Sequence, residues 1–243
     1  MNIEPVAVFH SALKEKFGIP RQSGLVDTLR GEVAFLPGKW SPEAFRGLDG
    51  FDYVWLIWGF SLNEGLDTPE TRTPALTVRP PRLGGAQRLG VYATRSPFRP
   101  NPLGLSSVRL TGIDPDRGIL QVLGADLAEG TPVFDVKPYL PYTDSHPQAR
   151  AGFTDEARWT ELEVVLPEAL TPGWSEEERA ALRGILAQDP RPAYRREGPD
   201  TKMYALSFGA YNVHFSVTDG TLRVSAIDAV PPAAPPTASD GRG

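Results

Sequence analysis

Proline and glycine interrupt the first two-thirds of the chain at short intervals, and this spacing most constrains the fold. The sequence has 25 prolines and 24 glycines, and both residue types disfavour long helices. Between them lie short runs rich in branched aliphatic and aromatic residues: Val6–Phe9, Gly31–Phe35, Tyr53–Phe60, Arg88–Ala93, Val108–Ile113, Ile119–Leu123 and Val133–Val136. Such runs between frequent turns predict an all-β sandwich or barrel. A Rossmann fold is excluded, because it needs strands that alternate with helices.

Helical signals are rare before residue 170. Pro42–Phe45 is the exception, with Ser41 as a candidate N-cap and Pro42 at the first helical position. Further along, Ser175 and Glu178 have the spacing of a capping box. An apolar stripe follows at Leu182, Ile185 and Leu186, and the predicted helix ends near Gln188, because Pro190 follows.

Three strands are predicted after this helix, at Tyr204–Phe208, Tyr211–Thr218 and Leu222–Ile227. Asp219–Gly220 joins the last two and is a strong hairpin signal. We therefore expect a mainly β protein, with a non-Rossmann β-barrel domain at residues 1–160 and a small α+β module at residues 161–228. Residues 229–243 are rich in Pro, Ala and Ser and are predicted to be a disordered tail.

Composition excludes several classes of function. The net charge is −5, so a wholly basic nucleic-acid coat is excluded, although a local basic surface is not. The chain has no cysteine and therefore no disulfide, thiolate metal site or cysteine nucleophile. The three histidines, His10, His146 and His214, are scattered, so no metal site is expected. No apolar run is long enough to cross a bilayer and no signal peptide is evident, so we expect a soluble, cytoplasmic protein.

An arginine-rich stretch without acidic residues extends from Val78 to Leu110. Its arginines are Arg79, Arg82, Arg88, Arg95, Arg99 and Arg109. They either attract a phosphate or carboxylate ligand, or pair with acidic loops elsewhere in the fold. Three prolines within Arg95–Ser106 predict a rigid, non-repetitive loop, which is a common setting for binding residues.

Two further segments carry polar side chains in informative patterns. Asp126 and Glu129 precede a Gly-Thr-Pro turn and could accept hydrogen bonds from a ligand hydroxyl or ammonium. Asp135, Lys137 and Tyr139 alternate along one strand and are predicted to share a face. The segment from 189 to 196 combines arginines with a tyrosine, which suits single-stranded RNA, but it also fits a solvated loop that ends a helix.

Six segments in the same order resemble the TrmO/TsaA-like family of tRNA methyltransferases. They are Phe17–Gln22, Val78–Gly85, Ala93–Ser96, Arg99–Gly104, Asp135–Tyr142 and Asp189–Arg195. The resemblance implies a β-barrel methyltransferase domain with a small C-terminal domain, S-adenosylmethionine as cofactor, and a homodimer with the cofactor near the subunit interface. It also implies N6-methylation of N6-threonylcarbamoyladenosine at position 37, beside the anticodon of threonine tRNA.

The resemblance further implies which residues bind the cofactor and the tRNA. The cofactor-binding residues are Pro20, Arg21, Gln22, Ser61, Leu62, Arg95, Leu105, Asp126, Leu127, Ala128 and Glu129. Ser61-Leu62 stands where the family often has His-Gln, and Glu129 where the turn usually has Asp. For the tRNA the candidates are Asp135, Lys137, Tyr139, Arg191, Tyr194 and Arg195. No catalytic base and no metal ligand are assigned. Two alternatives remain: a barrel methyltransferase for another small or nucleotide substrate, and a non-catalytic RNA-binding relative.

Overall fold

The computed structural model describes residues 2–63, 76–80, 83, 87–156, 160–192, 195–196 and 200–231. The strands are β1 (Ala7–Ser11), β2 (Arg30–Phe35), β3 (Tyr53–Gly59), β4 (Thr77–Val78), β5 (Leu89–Gly90), β6 (Leu103–Asp114), β7 (Ile119–Leu123), β8 (Thr131–Pro138), β9 (Glu163–Val165), β10 (Tyr204–Phe208), β11 (Tyr211–Thr218) and β12 (Thr221–Ala229). The α-helices are α1 (Pro141–Asp144), α2 (Phe153–Glu156) and α3 (Glu176–Ala187). None of the helices in these ranges is long and apolar enough to span a membrane.

Six of the strands close into an antiparallel barrel, in the order β1-β2-β7-β6-β3-β8. Alternate side chains point inward because successive residues of a strand face opposite sides. The interior is filled mainly by Phe9, Val33, Val54, Leu56, Val108, Leu120, Val122 and Val133. The mainly β fold and the non-Rossmann barrel predicted from the spacing of the apolar runs are thereby confirmed.

Two predicted boundaries around the proline-rich loop were wrong. β6 begins at Leu103, so the last residues of the expected loop are strand. No proline lies between Pro102 and Ser106, and Gly104 and Ser106 are buried in alternation with the exposed Leu103 and Leu105, which is a strand pattern. In the run predicted at Arg88–Ala93, only β5 is extended; Val91–Ala93 forms a 3-10 turn that the hydroxyl of Thr94 closes by donating to Val91 O at 2.9 Å.

The second module is a four-stranded sheet in the order β10-β11-β12-β9, with α3 packed against it. The capping box at Ser175 and Glu178 is confirmed, with both reciprocal hydrogen bonds present. The hairpin turn is also confirmed, because Asp219 and Gly220 both have positive φ, 49° and 78°. Pro42–Phe45 is a 3-10 helix, and Ser41 makes no side-chain capping bond to it.

Two features of this sheet were not expected. β9 was missed, because it has only three residues and pairs in parallel with β12, far along the chain. β12 extends to Ala229, and the backbone N–H of Val230 donates to Ala210 O at 2.7 Å. Ala229 and Val230, the first two residues of the predicted tail, are therefore part of this sheet.

The segment between β1 and β2 belongs to the barrel in sequence but packs on the C-terminal module. Leu13, Val26 and Leu29 are buried in the same apolar cluster as α3 and the four-stranded sheet. The ring of Phe17 stacks on Tyr204 and Phe215, with centroids 6.3 and 6.4 Å away. The C-terminal module thus supports the loop that carries the first group of predicted cofactor residues.

Candidate functional site

Two loops that the sequence resemblance assigns to the cofactor lie side by side. The guanidinium of Arg95 donates to the side-chain oxygen of Gln22. Close by, the ammonium of Lys16 lies 5.9 Å from the centroid of Phe98. The structure therefore joins the segment around Pro20, Arg21 and Gln22 to the proline-rich loop.

Hydrogen bonds within the proline-rich loop hold Arg95 in place. The backbone N–H of Ser96 donates to the hydroxyl of Thr94 at 3.3 Å. The guanidinium of Arg99 donates to the backbone oxygen of Thr94 at 3.2 Å. With three prolines in the same stretch, these bonds leave the loop little freedom. Arg99 is thus a brace, whereas Arg95 is exposed and presents its charge.

The other arginines of the stretch also differ in their surroundings. Arg79, Arg88 and Arg109 are exposed, and no carboxylate in the described ranges lies within ion-pair distance of these three side chains. Arg82 lies outside the described residues. Within these ranges the observation favours a ligand-attracting surface over internal pairing with acidic loops.

Asp126 is the acidic group that faces Arg95. Its Oδ1 accepts a hydrogen bond of 2.5 Å from the hydroxyl of Ser106, which itself accepts from the indole N–H of Trp58 at 3.0 Å. Burial raises the pKa of the Asp126 carboxyl; the hydrogen bonds from Ser106 and from the backbone N–H of Ser23, and the charge of Arg95, act in the opposite direction. Gln22, Arg95 and Asp126 are thereby brought together.

The rest of the acidic turn is arranged differently from expectation. Leu127 and Ala128 are buried in the protein, so only their backbone could reach a ligand. The carboxylate of Glu129 lies 2.8 Å from Nδ1 of His10 and accepts from the backbone N–H of Ser11 at 2.7 Å. Glu129 lines a cavity of about 430 Å³ between the barrel and the C-terminal module, a cavity whose lining includes neither Arg95 nor Asp126. The structure thus directs this side chain away from the Asp126 site.

Leu105 faces outward from β6 and is 56% exposed. It lies on the opposite side of the strand from Ser106, which bonds to Asp126. Ser61 and Leu62 follow β3 in a short 3-10 turn. This turn starts beside β6, because the N–H of Phe60 donates to Pro102 O at 2.9 Å. Leu62 and Leu105 are therefore exposed on the outside of the barrel, and Leu105 does not face Asp126.

The predicted substrate residues of β8 share the outer face of the barrel with Leu105. Asp135 pairs in register with Ile57, which pairs with Leu105 on the other side. At about 4.8 Å between strands, the backbones of Asp135 and Leu105 are roughly 10 Å apart. Lys137 forms an ion pair of 2.9 Å with Asp135, as expected for residues on one face.

An aromatic group continues this surface beyond Lys137. The ring of Tyr139 lies 5.5 Å from Trp55 and 6.2 Å from Tyr53, measured between centroids. A hydrogen bond fixes the orientation of Trp55, because its indole N–H donates to the carboxylate of Asp144 at 2.8 Å. The backbone N–H of Leu140 also bonds to this carboxylate, and both bonds lower the pKa of Asp144. Tyr139 therefore belongs to a fixed aromatic patch.

Arg191, a predicted tRNA-binding residue, lies in the interior of the C-terminal module. Its guanidinium is buried and makes two hydrogen bonds of 2.9 Å to the carboxylate of Asp189, with a third at 3.4 Å to Asp200. These bonds raise the pKa of Arg191. A buried, saturated guanidinium is a structural brace and is not presented to a phosphate. Arg195 is exposed beside it, and Tyr194 lies outside the described residues.

Sequence reasoning missed Ser106 and Trp58. Both lie inside the barrel, with exposures of 1% and 6%. One signal was available: Ser106 is a polar residue at an inward position of an alternating strand, and a buried hydroxyl requires a hydrogen-bonding partner. The partner, Asp126, lies 20 residues further along the chain, where no local pattern could indicate it.

A closed antiparallel barrel whose loops bring Gln22, Arg95 and Asp126 together defines a non-Rossmann barrel protein with a candidate polar site. Two family models match the chain: the tRNA-methyltransferase O N-terminal domain over residues 8–145, and the TrmO C-terminal domain over residues 160–230. The chain belongs to the tRNA-methyltransferase O family, which confirms the family resemblance stated above.

Similar proteins and structures agree with this assignment. The tRNA (adenine(37)-N6)-methyltransferase of Escherichia coli K12 is 40% identical over 93% of this chain and 97% of its own length. A putative S-adenosylmethionine-dependent methyltransferase of Pseudomonas aeruginosa is 38% identical over 88% of this chain and 91% of its own. A crystal structure of TrmO from P. aeruginosa superposes with a TM-score of 0.72, at 29% identity, over 94% of this chain and 99% of the other.

Proposed function

We propose that this chain is an S-adenosylmethionine-dependent tRNA (adenine(37)-N6)-methyltransferase. Its substrate in this proposal is N6-threonylcarbamoyladenosine in the anticodon loop of threonine tRNA, in the cytoplasm. The observation that carries the proposal is the convergence of Gln22, Arg95 and Asp126, three residues from distant segments, in a chain of this family. The Escherichia coli relative is named a tRNA (adenine(37)-N6)-methyltransferase and matches 93% of the chain.

The residues at this site fit the chemistry of the cofactor. S-adenosylmethionine has ribose hydroxyls and an ammonium, which need acceptors, and a carboxylate, which needs a cation. Asp126 offers a carboxylate oxygen that Ser106 does not occupy, and Arg95 offers the cation. Gln22 orients the Arg95 guanidinium. When bound, the cofactor supplies an activated methyl group, so the protein has mainly to align the reactants and exclude water.

In the proposed reaction, N6 of the adenosine would accept the methyl group that the bound cofactor would supply, and would release its proton to solvent. The threonylcarbamoyl substituent makes the N6–H more acidic than an exocyclic amine, which eases the loss of the proton. The described residues at the site need not include a strong base for this step. We therefore assign positioning roles, and no catalytic base.

The outer face of β8 is the proposed tRNA surface. Tyr139 and its aromatic neighbours, Tyr53 and Trp55, suit base stacking, which tolerates any base. Lys137 adds a positive charge for phosphate, and its ion pair with Asp135 keeps the two side chains together. Replacing Tyr139 by Ala is expected to raise KM for tRNA without changing cofactor affinity.

A homodimer is the proposed assembly. Leu103 and Leu105 are 39% and 56% exposed on one face of β6, beside the 37% exposed Leu62. Because Leu105 points away from the Asp126 site of its own chain, we assign it to the cofactor site of a second copy. Replacing Leu105 by Glu should yield monomers in light scattering and weaken cofactor binding. The matched control is Ile3→Glu, which alters another exposed apolar residue, 50% exposed, that precedes β1 and does not belong to β6.

The decisive experiment joins a test in vitro with one in cells. Purified protein is incubated with tritiated S-adenosylmethionine and with threonine tRNA that carries or lacks the threonylcarbamoyl group, and the nucleosides are identified by mass spectrometry. The proposal requires methyl transfer to the modified tRNA alone, and loss of the methylated nucleoside from a strain without the gene. Transfer to another small molecule would favour the alternative barrel methyltransferase, and absence of cofactor binding would favour the non-catalytic relative.

A further inference from the structure

A chain of two hydrogen bonds, the first buried and the second partly buried, leads from the barrel interior to the proposed cofactor site. The indole N–H of Trp58 donates to the hydroxyl oxygen of Ser106, and the hydroxyl contacts Oδ1 of Asp126. An indole nitrogen can only donate a hydrogen bond. The oxygen of Ser106 is therefore the acceptor for Trp58, and its own proton is directed to Asp126.

Packing within the barrel fixes the side chains that form these two hydrogen bonds. Trp58 lies in β3, and its strand partner in β6 is Gly104, two residues before Ser106. A Cβ at Gly104 would lie 2.2 Å from the indole ring, so the ring occupies space that only glycine leaves open. Phe60 packs against the same indole at 4.4 Å between centroids. Ser106 therefore meets a donor whose position is fixed from two sides.

Asp126 depends on this contact because its other partners are few. The groups that face it are the Ser106 hydroxyl from β6, the backbone N–H of Ser23 from the first loop, and the charge of Arg95 from the proline-rich loop. Burial acts against the ionised carboxylate, and the hydrogen bond from Ser106 acts in its favour. Without that bond, the carboxylate would keep only its backbone partners, at Asp126 itself and at Ser23, and the charge of Arg95, and it would take up a proton at a higher pH.

We propose that Ser106, oriented by Trp58, is a positioning residue that aims the Asp126 carboxylate at the cofactor. Asp126 contacts the cofactor through the oxygen that Ser106 leaves available, and Ser106 acts only through Asp126. This inference rests on the proposed function, because it takes Asp126 as a cofactor-binding residue.

The test is the affinity for S-adenosylmethionine, measured by calorimetry on the full chain between pH 5.5 and 8.5. Ser106→Ala should weaken binding about 10- to 100-fold, the range expected for one hydrogen bond to a charged group. The loss should grow as the pH falls, because the Asp126 carboxyl of the variant is protonated at a higher pH than in the wild type. The matched control is Ser107→Ala, the next residue of β6, which faces the other way and should bind as the wild type does.

A double-mutant cycle separates positioning from general damage. In an Asp126→Asn background, Ser106→Ala should cause no further loss of affinity, because the charge through which it acts is gone. Trp58→Phe keeps a ring in place but removes the donor, and should give a smaller loss with the same dependence on pH. It also serves as the second variant if Ser106→Ala folds poorly, which the melting temperature will reveal.

The failure of this inference differs from the failure of the proposed function. If the wild type does not bind S-adenosylmethionine, the proposed function is wrong. If the wild type binds and Ser106→Ala, correctly folded, keeps its affinity and its pH profile, this inference alone is overturned. A loss that persists undiminished in the Asp126→Asn background would also overturn it, because Ser106 would then act by another route.

Discussion

Gly18 links the C-terminal module to the proposed cofactor loop, and its replacement by Ala tests that link. Its φ is +94°, and a Cβ there would lie 1.9 Å from Cδ1 of Leu206, a fully buried residue of β10. An L-residue at such a φ costs about 1–3 kcal/mol. Overpacking of a filled core costs about another 1–3 kcal/mol. Together these give a destabilisation of about 2–6 kcal/mol.

The strain should reach the cofactor site because the loop from Pro20 to Gln22 follows within four residues. When Gly18→Ala pushes the loop away from Leu206, Gln22 is displaced from Arg95, to which it is hydrogen-bonded. Cofactor affinity should therefore fall at temperatures where the variant is still folded. Urea unfolding measures the loss of stability, and calorimetry measures the affinity.

A matched glycine provides the control. Gly38 also has a positive φ, +77°, but a Cβ there meets nothing within 4 Å. Gly38→Ala should cost only the backbone strain, about 1–2 kcal/mol, and leave cofactor affinity unchanged. If Gly18→Ala is no more destabilising than Gly38→Ala, or if it binds cofactor normally, the loop is not held by the contact with Leu206 and the reasoning is refuted.

Three further predictions follow from the described contacts. Arg191→Ala should lower stability by about 1.5–3 kcal/mol in urea unfolding, because it removes both hydrogen bonds to the buried carboxylate of Asp189 and leaves Arg196, 3.5 Å away, as its charged partner; an unchanged stability would show that Arg191 is not a brace. The pKa of Asp126 is raised in the fold, so its ionisation destabilises the free protein. Asp126→Asn should therefore be more stable than the wild type near pH 7, and equally stable at pH values below the ordinary pKa of aspartate. Calorimetric melting across pH measures the difference in stability, and a difference that grows toward low pH would contradict the predicted direction. Truncation after Asp228 should lower the melting temperature, since it removes the strand pair of Ala229 with Tyr211 and the hydrogen bond from Val230 to Ala210. Truncation after Pro231 should leave the melting temperature unchanged. Equal melting temperatures for the two truncations would show that the end of β12 does not contribute to stability.

Much of the fold could be predicted because its signals are local. The strands β7, β10 and β11 coincide with runs between turn residues, since alternation and turn chemistry act over a few positions. The helix start at Ser175 and the hairpin at Asp219–Gly220 are likewise set by side chains and backbone angles within four residues. The family resemblance added the positions of the loops, but not the direction in which each side chain points.

Only the tertiary structure decided which of these residues act together. The pattern around Arg191 was compatible with both RNA binding and bracing, and the structure buries its guanidinium beside Asp189 and Asp200, which favours bracing. Glu129 and Asp126 belong to one short segment, yet the first bonds to His10 and the second to Ser106. Contacts such as that of Trp58 with Ser106 join residues 48 positions apart. Closing the barrel brings such distant residues together, and no short stretch of sequence carries that information.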